Sequence, residues 1–151
     1  MRPAGGRRGP CGFTLVELIL VILITAALAV FAIPRVVDTT LWRLRAFGDE
    51  LQARHQAMLR LALQQRRPIV ETLAADGATW AYANGASLGA LPCPAAASPC
   101  IAGTGTVTFN SGNGGATATS TGADLALTIA SGDYSQGYVI VADTGLIHPL
   151  P

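Results

Sequence analysis

Residues 13–33 form an unbroken apolar run of twenty-one residues whose polar members are Thr14, Glu17 and Thr25. As a helix the run would extend about 31 Å, the hydrocarbon thickness of a bilayer. A helix that is apolar on every side has to be covered by lipid or by protein, so this feature constrains the chain before any other. Composition agrees, because only 13% of residues are charged, about half the usual share, and mean hydropathy is +0.42. A disordered, collagenous or freely soluble cytosolic chain is excluded on these grounds. At 151 residues and 15.5 kDa, the chain has room for one modest domain besides the helix and none for two tandem enzymes.

Charge is distributed unevenly. All ten basic residues are Arg, and Arg67 is the last of them. Arg2, Arg7 and Arg8 precede the apolar run with no acid among them, a bias that holds the N-terminus on the cytoplasmic side and sends the rest of the chain outward. Residues 68–151 carry Glu71, Asp76, Asp124, Asp133 and Asp143 and no base. That half has no cation with which to neutralise phosphate, so the head is not expected to bind nucleic acid. A secretory signal cut after Val30-Phe31-Ala32 is disfavoured, because the apolar run is too long, contains a carboxylate and continues into a helical pattern. A lipoprotein signal fails because Cys11 precedes the run.

A carboxylate inside a membrane costs a few kcal/mol and is rarely found there without a partner. Glu17 either snorkels to the nearby interface or meets a positive charge on another subunit. A new N-terminus created before Phe13 would place such a charge four residues away. Gly12-Phe13-Thr14-Leu15-Val16-Glu17-Leu18, the apolar helix and then Ala32-Ile33-Pro34-Arg35 closely resemble the signature of type IV pilins and type II secretion pseudopilins. The resemblance implies cleavage after Gly12 by a prepilin peptidase, N-methylation of Phe13, and pairing of Glu17 with the amine of a neighbouring subunit during assembly. It makes residues 1–12 a removed leader. It also implies a single-pass precursor in the bacterial inner membrane, N-terminus cytoplasmic and head periplasmic, that later joins a pilus or pseudopilus filament. Its partners are then the peptidase, other pilin or pseudopilin subunits and the inner membrane. Gly12 suits an extended backbone entering a protease site, and Pro34 is placed to break or kink the helix at the far end of the span. Pro10-Cys11 stands before the glycine, where the family usually has a basic residue.

Beyond the apolar run, residues 34–67 read as an amphipathic helix. Leu41, Leu44, Gly48, Leu51, His55, Met58 and Ala62 recur at spacings of three and four, and Pro68 stops the helix at residue 67. A helix over 13–67 would be about 82 Å long if straight. His55 reads as a partly buried packing histidine, with no cysteine or carboxylate cluster at metal spacing nearby. Arg60, Arg66 and Arg67 read as a solvated helix end, or as a patch for an acidic neighbour. The stretch Leu51-Gln52-Ala53-Arg54-His55-Gln56-Ala57, followed by Arg66-Arg67-Pro68-Ile69-Val70, resembles minor subunits of these systems, of the FimT-like, minor pseudopilin or mannose-sensitive haemagglutinin kind. In those proteins the role is to initiate or cap a filament.

Residues 68–151 turn abruptly to Gly, Thr, Ser and Ala. Strands are expected at 69–73, 80–82, 106–110, 116–119, 125–130, 138–142 and 146–148, with turns at Asn84-Gly85, Asn113-Gly114-Gly115, Ser131-Gly132-Asp133 and Asp143-Thr144-Gly145. The expected architecture is α+β: a long N-terminal helix, membrane-spanning in its first half and amphipathic in its second, packed on a small antiparallel β head. Cys93 and Cys100 flank Pro94-Ala95-Ala96-Ala97-Ser98-Pro99, a short stiff loop exported to an oxidising compartment, and a disulfide between them is expected. Zinc would need two further ligands, and a redox pair favours two intervening residues. Asp133 and Asp143 read as turn formers rather than calcium ligands. No nucleophile elbow, phosphate loop or metal-binding histidine pair is present, and His148 stands close to the C-terminus. The expectation is a non-enzymatic chain with neither cofactor nor metal. The alternative is a membrane-anchored or secreted β domain that binds or adheres.

Overall fold

The computed structural model describes residues 13–36, 39–112 and 114–151. Two compact units emerge, Met1–Asp38 and Thr39–Pro151. The first contains helix α1 (Leu15–Val36), which passes through Pro34; its side chains are described as far as Ala29. Among the described residues no helix is long and apolar enough to cross a membrane. The described side chains on α1 end short of the roughly 20 residues a crossing takes, so the bilayer span expected at 13–33 is not a finding of the structure. Residues 1–12, 37 and 38 lie outside the described residues, and with them the leader, Gly12 and the middle of the expected 13–67 helix.

The second unit begins with α2 (Thr39–Gln65). Leu44, Gly48, Leu51, His55 and Ala62 are buried on its expected stripe, joined by Phe47, while Met58 is partly buried. The helix ends two residues earlier than expected, and the reason is local. Arg66 adopts a left-handed φ of 51°. Its N–H donates to Leu63 O at 3.3 Å, and that of Arg67 donates to Ala62 O at 3.2 Å. This paired closure is a Schellman motif, which normally places glycine where Arg66 stands. Pro68 forces the chain out of the helix just beyond it.

Nine strands follow: β1 (Ile69–Ala74), β2 (Gly77–Tyr82), β3 (Ser87–Pro92), β4 (Ile101–Ala102), β5 (Gly105–Ser111), β6 (Ala116–Thr119), β7 (Leu125–Ser131), β8 (Tyr134–Ile140) and β9 (Ile147–Pro149). They form two antiparallel sheets, ordered β3-β2-β1-β5-β6 and β4-β7-β8-β9. The architecture is therefore α+β. Sequence periodicity missed β3 and β4: Ser-Leu-Gly-Ala-Leu-Pro buries only Leu91 and lies at a sheet edge, and β4 is two residues long. It also placed β8 four residues late, because Tyr-Ser-Gln-Gly is polar; hairpin pairing of Ser131 with Tyr134 draws that stretch into the sheet. The expected turn at Asn113 falls on a residue outside the described ones.

Apolar side chains of both sheets meet α2 in one core, with Leu44, Leu51, Ile69, Trp80, Val107, Phe109, Ile129 and Ile140 almost fully enclosed. Arg54 secures an edge. It pairs with Glu50 at 2.6 Å, donates to Ala90 O of β3 at 3.1 Å and lies 5.9 Å over the Trp80 ring.

The strained cap yields a direct test. Arg66→Gly relieves a left-handed residue that carries a Cβ, and should raise the stability of the head by about 1 kcal/mol. The check is urea unfolding followed by near-UV circular dichroism; an unchanged or lower midpoint would refute the strained-cap account.

Candidate functional site

Phe13 and the start of α1 are the first described residues of the processing segment. Thr14 begins the helix by accepting a hydrogen bond from the Glu17 N–H at 3.3 Å through Oγ1. Thr14-x-x-Glu17 is the sequence of a capping box, so this start was legible in the spacing of the two residues. Glu17 lies in the first turn, where the helix dipole favours an anion. Thr25, the remaining polar member of the run, returns its hydroxyl to Val21 O at 2.9 Å and Ile22 O at 3.0 Å. Among the described side chains of α1, that leaves the Glu17 carboxylate as the polar group without a partner.

The rest of the described surface of α1 is apolar and uncovered. Leu15, Val16, Leu18, Ile19, Val21 and Ile22 are roughly half to three-quarters exposed, and Phe13 is 78% exposed. These positions run right round the helix, so no single face could be buried against one partner and leave the others in water.

Residues 7–33 match the family model described as the prokaryotic N-terminal methylation motif. The segment is a type IV pilin-like prepilin signal. Such a signal implies processing by a prepilin peptidase, and it takes in Gly12, Phe13 and Glu17 in one stretch. No curated protein and no solved structure matches the chain.

Two arrangements in the head lie away from this signal. Cys93 follows β3 and Cys100 precedes β4, so their disulfide, with a Cα–Cα distance of 5.8 Å, spans the passage from one sheet to the other. The loop is tied down at both ends: Cys93 N–H donates to Asp76 O at 2.8 Å, Cys100 N–H to Ala75 O at 3.0 Å, and Ala130 N–H to Cys100 O at 2.9 Å.

The second is a buried ionisable pair. His55 is not a simple packing residue: it is fully enclosed, with Nδ1 2.5 Å from Glu71 Oε2 and Nε2 2.8 Å from Gly145 O. Its ring meets Phe109 edge-on, centroids 4.9 Å apart. A carbonyl only accepts, so Nε2 carries a hydrogen, and one proton is shared between Nδ1 and the carboxyl. The pair is neutral overall whichever atom holds that proton. Glu71 reaches His55 because β1 alternates, turning Ile69, Glu71 and Leu73 to the buried side. Glu71 Oε1 and Trp80 Nε1 are left without partners among the described buried side chains, on residues directly paired across β1 and β2. Asp133 and Asp143 are exposed turn residues, and His148 is exposed on β9. Among the described residues no group of three His, Cys, Asp or Glu side chains could hold a metal ion.

Breaking one side of a buried pair strands the other, so Glu71→Leu should cost about 3–5 kcal/mol. Adding His55→Phe should recover part of that loss, giving a positive coupling in a double-mutant cycle. Strictly additive losses would mean the two side chains do not act as a pair. Cys93→Ser with Cys100→Ser should lower stability by about 2.5 kcal/mol, the loop-closure value for so short a loop; equal unfolding midpoints with and without reductant would contradict this.

Proposed function

We propose that this chain is a structural subunit, a minor pilin or pseudopilin, of a type IV pilus or type II secretion-like filament. The observation that carries the reading is the methylation motif over residues 7–33 on a helix whose described apolar surface is uncovered all round and whose unpartnered polar group is Glu17. Cleavage after Gly12 leaves Phe13 as the new N-terminus, which is then methylated. The precursor waits in the inner membrane with its head in the periplasm, and the helix later exchanges lipid for the helices of neighbouring subunits. In that bundle, packing gives little preference among registers, because apolar side chains meet apolar side chains at every offset. One carboxylate paired with one N-terminal amine in an apolar surrounding supplies the register. The minor-subunit assignment rests on the stretch around Ala53-Arg54 and Arg67-Pro68. The work of the chain is assembly and not catalysis.

The test is intact mass and N-terminal sequencing of protein recovered from membranes, with and without a co-expressed prepilin peptidase. A chain beginning at Phe13 with one added methyl group is the expected product; a chain beginning near Ile33, or uncut in the presence of active peptidase, would overturn the reading. Glu17→Ala should insert and be processed normally, yet enter filaments poorly. Incorporation at the level of the unaltered chain would remove the pairing with the amine.

A further inference from the structure

Between α2 and the β8–β9 end of the second sheet lies an open cleft of about 400 Å³, within the range of small-molecule sites. α2 contributes Arg45, Asp49 and Gln52, spaced so that all three share a face, and β8 contributes Tyr134, Gln136 and Tyr138, alternate residues on one side of the strand. Tyr138 is 5% exposed, and its hydroxyl has no hydrogen-bond partner among the described residues. That oxygen is not one of the buried atoms left without a partner; it opens on the cleft, where water or a ligand can meet it. Its ring is drawn close by Gly48, where a Cβ would collide with the hydroxyl oxygen. Burial, then Tyr134 and Asp49, push the Tyr138 phenol above its usual pKa, so it stays a neutral O–H that can both donate and accept. The Asp49 carboxylate, the Tyr134 hydroxyl and the Gln52 amide likewise lack partners among the described residues, whereas the Gln136 amide nitrogen donates to Leu150 O at 2.8 Å.

We infer that this cleft binds a neutral saccharide. One cation and one anion on the same helix cancel, so neither a phosphate nor a polybasic segment finds a matching field. Donors and acceptors both line the cleft: a guanidinium, a carboxylate and amides, planar groups with two polar positions that can take vicinal hydroxyls in pairs, and two phenol hydroxyls. The partly exposed ring of Tyr134 offers a flat apolar surface on which the C–H face of a sugar ring can lie, while the enclosed Tyr138 contributes its hydroxyl. The site lies wholly in the second unit and stands independently of the filament reading.

The test uses the full chain in dodecylphosphocholine micelles, a detergent free of sugar, titrated with maltotriose and with triacetylchitotriose while tyrosine side-chain NMR signals are followed. Saturable shifts of Tyr134 and Tyr138 with either sugar, at a dissociation constant of about 1 mM, are expected. Tyr138→Phe keeps the ring and removes the hydroxyl, and should weaken binding about fivefold; Asp49→Asn provides a second variant that leaves the core untouched. Absence of saturation with both sugars up to about ten times that concentration overturns the inference. So does equal affinity in both variants, or tighter binding of glucose 6-phosphate or tetralysine than of either neutral sugar.

Discussion

One imidazole joins the three parts of the head. His55 projects from α2, takes the carboxyl of Glu71 from β1 in the first sheet, and holds Gly145 O from the turn before β9 in the second. Neither bond can be exchanged for water, since both side chains are fully enclosed. The surrounding apolar contacts supply most of the gross stabilisation, but they are non-directional. The hydrogen-bonded pair is directional, and it specifies how far along α2 each sheet must sit. The cleft above β8 depends on that placement, because Asp49 and Tyr138 face each other only when the second sheet is seated on this stretch of the helix.

The N-terminal unit obeys a different constraint. In the head, α2 confines its apolar side chains to one stripe and the sheets cover it. On α1 they run all round, and the chain carries nothing among its described residues that covers them. The two helices have similar lengths, 22 and 27 residues, and opposite demands on their surroundings. A covering of lipid or of other subunits' helices meets the demand of α1. The match to the methylation motif, residues 7–33, takes in this uncovered stretch.

Much of this was legible in the residues themselves. Periodicity placed the buried face of α2 because Leu44, Leu51 and Ala62 repeat at helical spacing, and alternation found strands such as β1 and β7, whose buried and exposed residues interleave. Two of the four edge strands were missed, β3 because it buries a single large side chain and so has no alternation to read, and β4 because it is two residues long. The end of α2 was misplaced by two residues because a left-handed arginine replaced the glycine that normally marks it. Phe47 escaped because it lies one position beside the stripe, on the side of the helix that faces Leu91, Pro92 and Pro94. Glu71 could have been found, since it sits two residues from both Ile69 and Leu73 on a strand that alternates, and a carboxylate on a buried face needs a partner.

What the sequence determined by itself is therefore whatever depends on neighbours along the chain: the apolar run, the cleavage and methylation signal, the capping Thr14, the amphipathic stripe and the short cysteine loop. What only the tertiary structure decided depends on residues far apart in the chain. Glu71 meets His55 across 16 positions and Gly145 meets it across 90, and the cleft takes its walls from α2 and β8. Local spacing carries no record of such pairings. They are settled by which apolar faces bury each other, and the polar groups left inside then find, or fail to find, their partners.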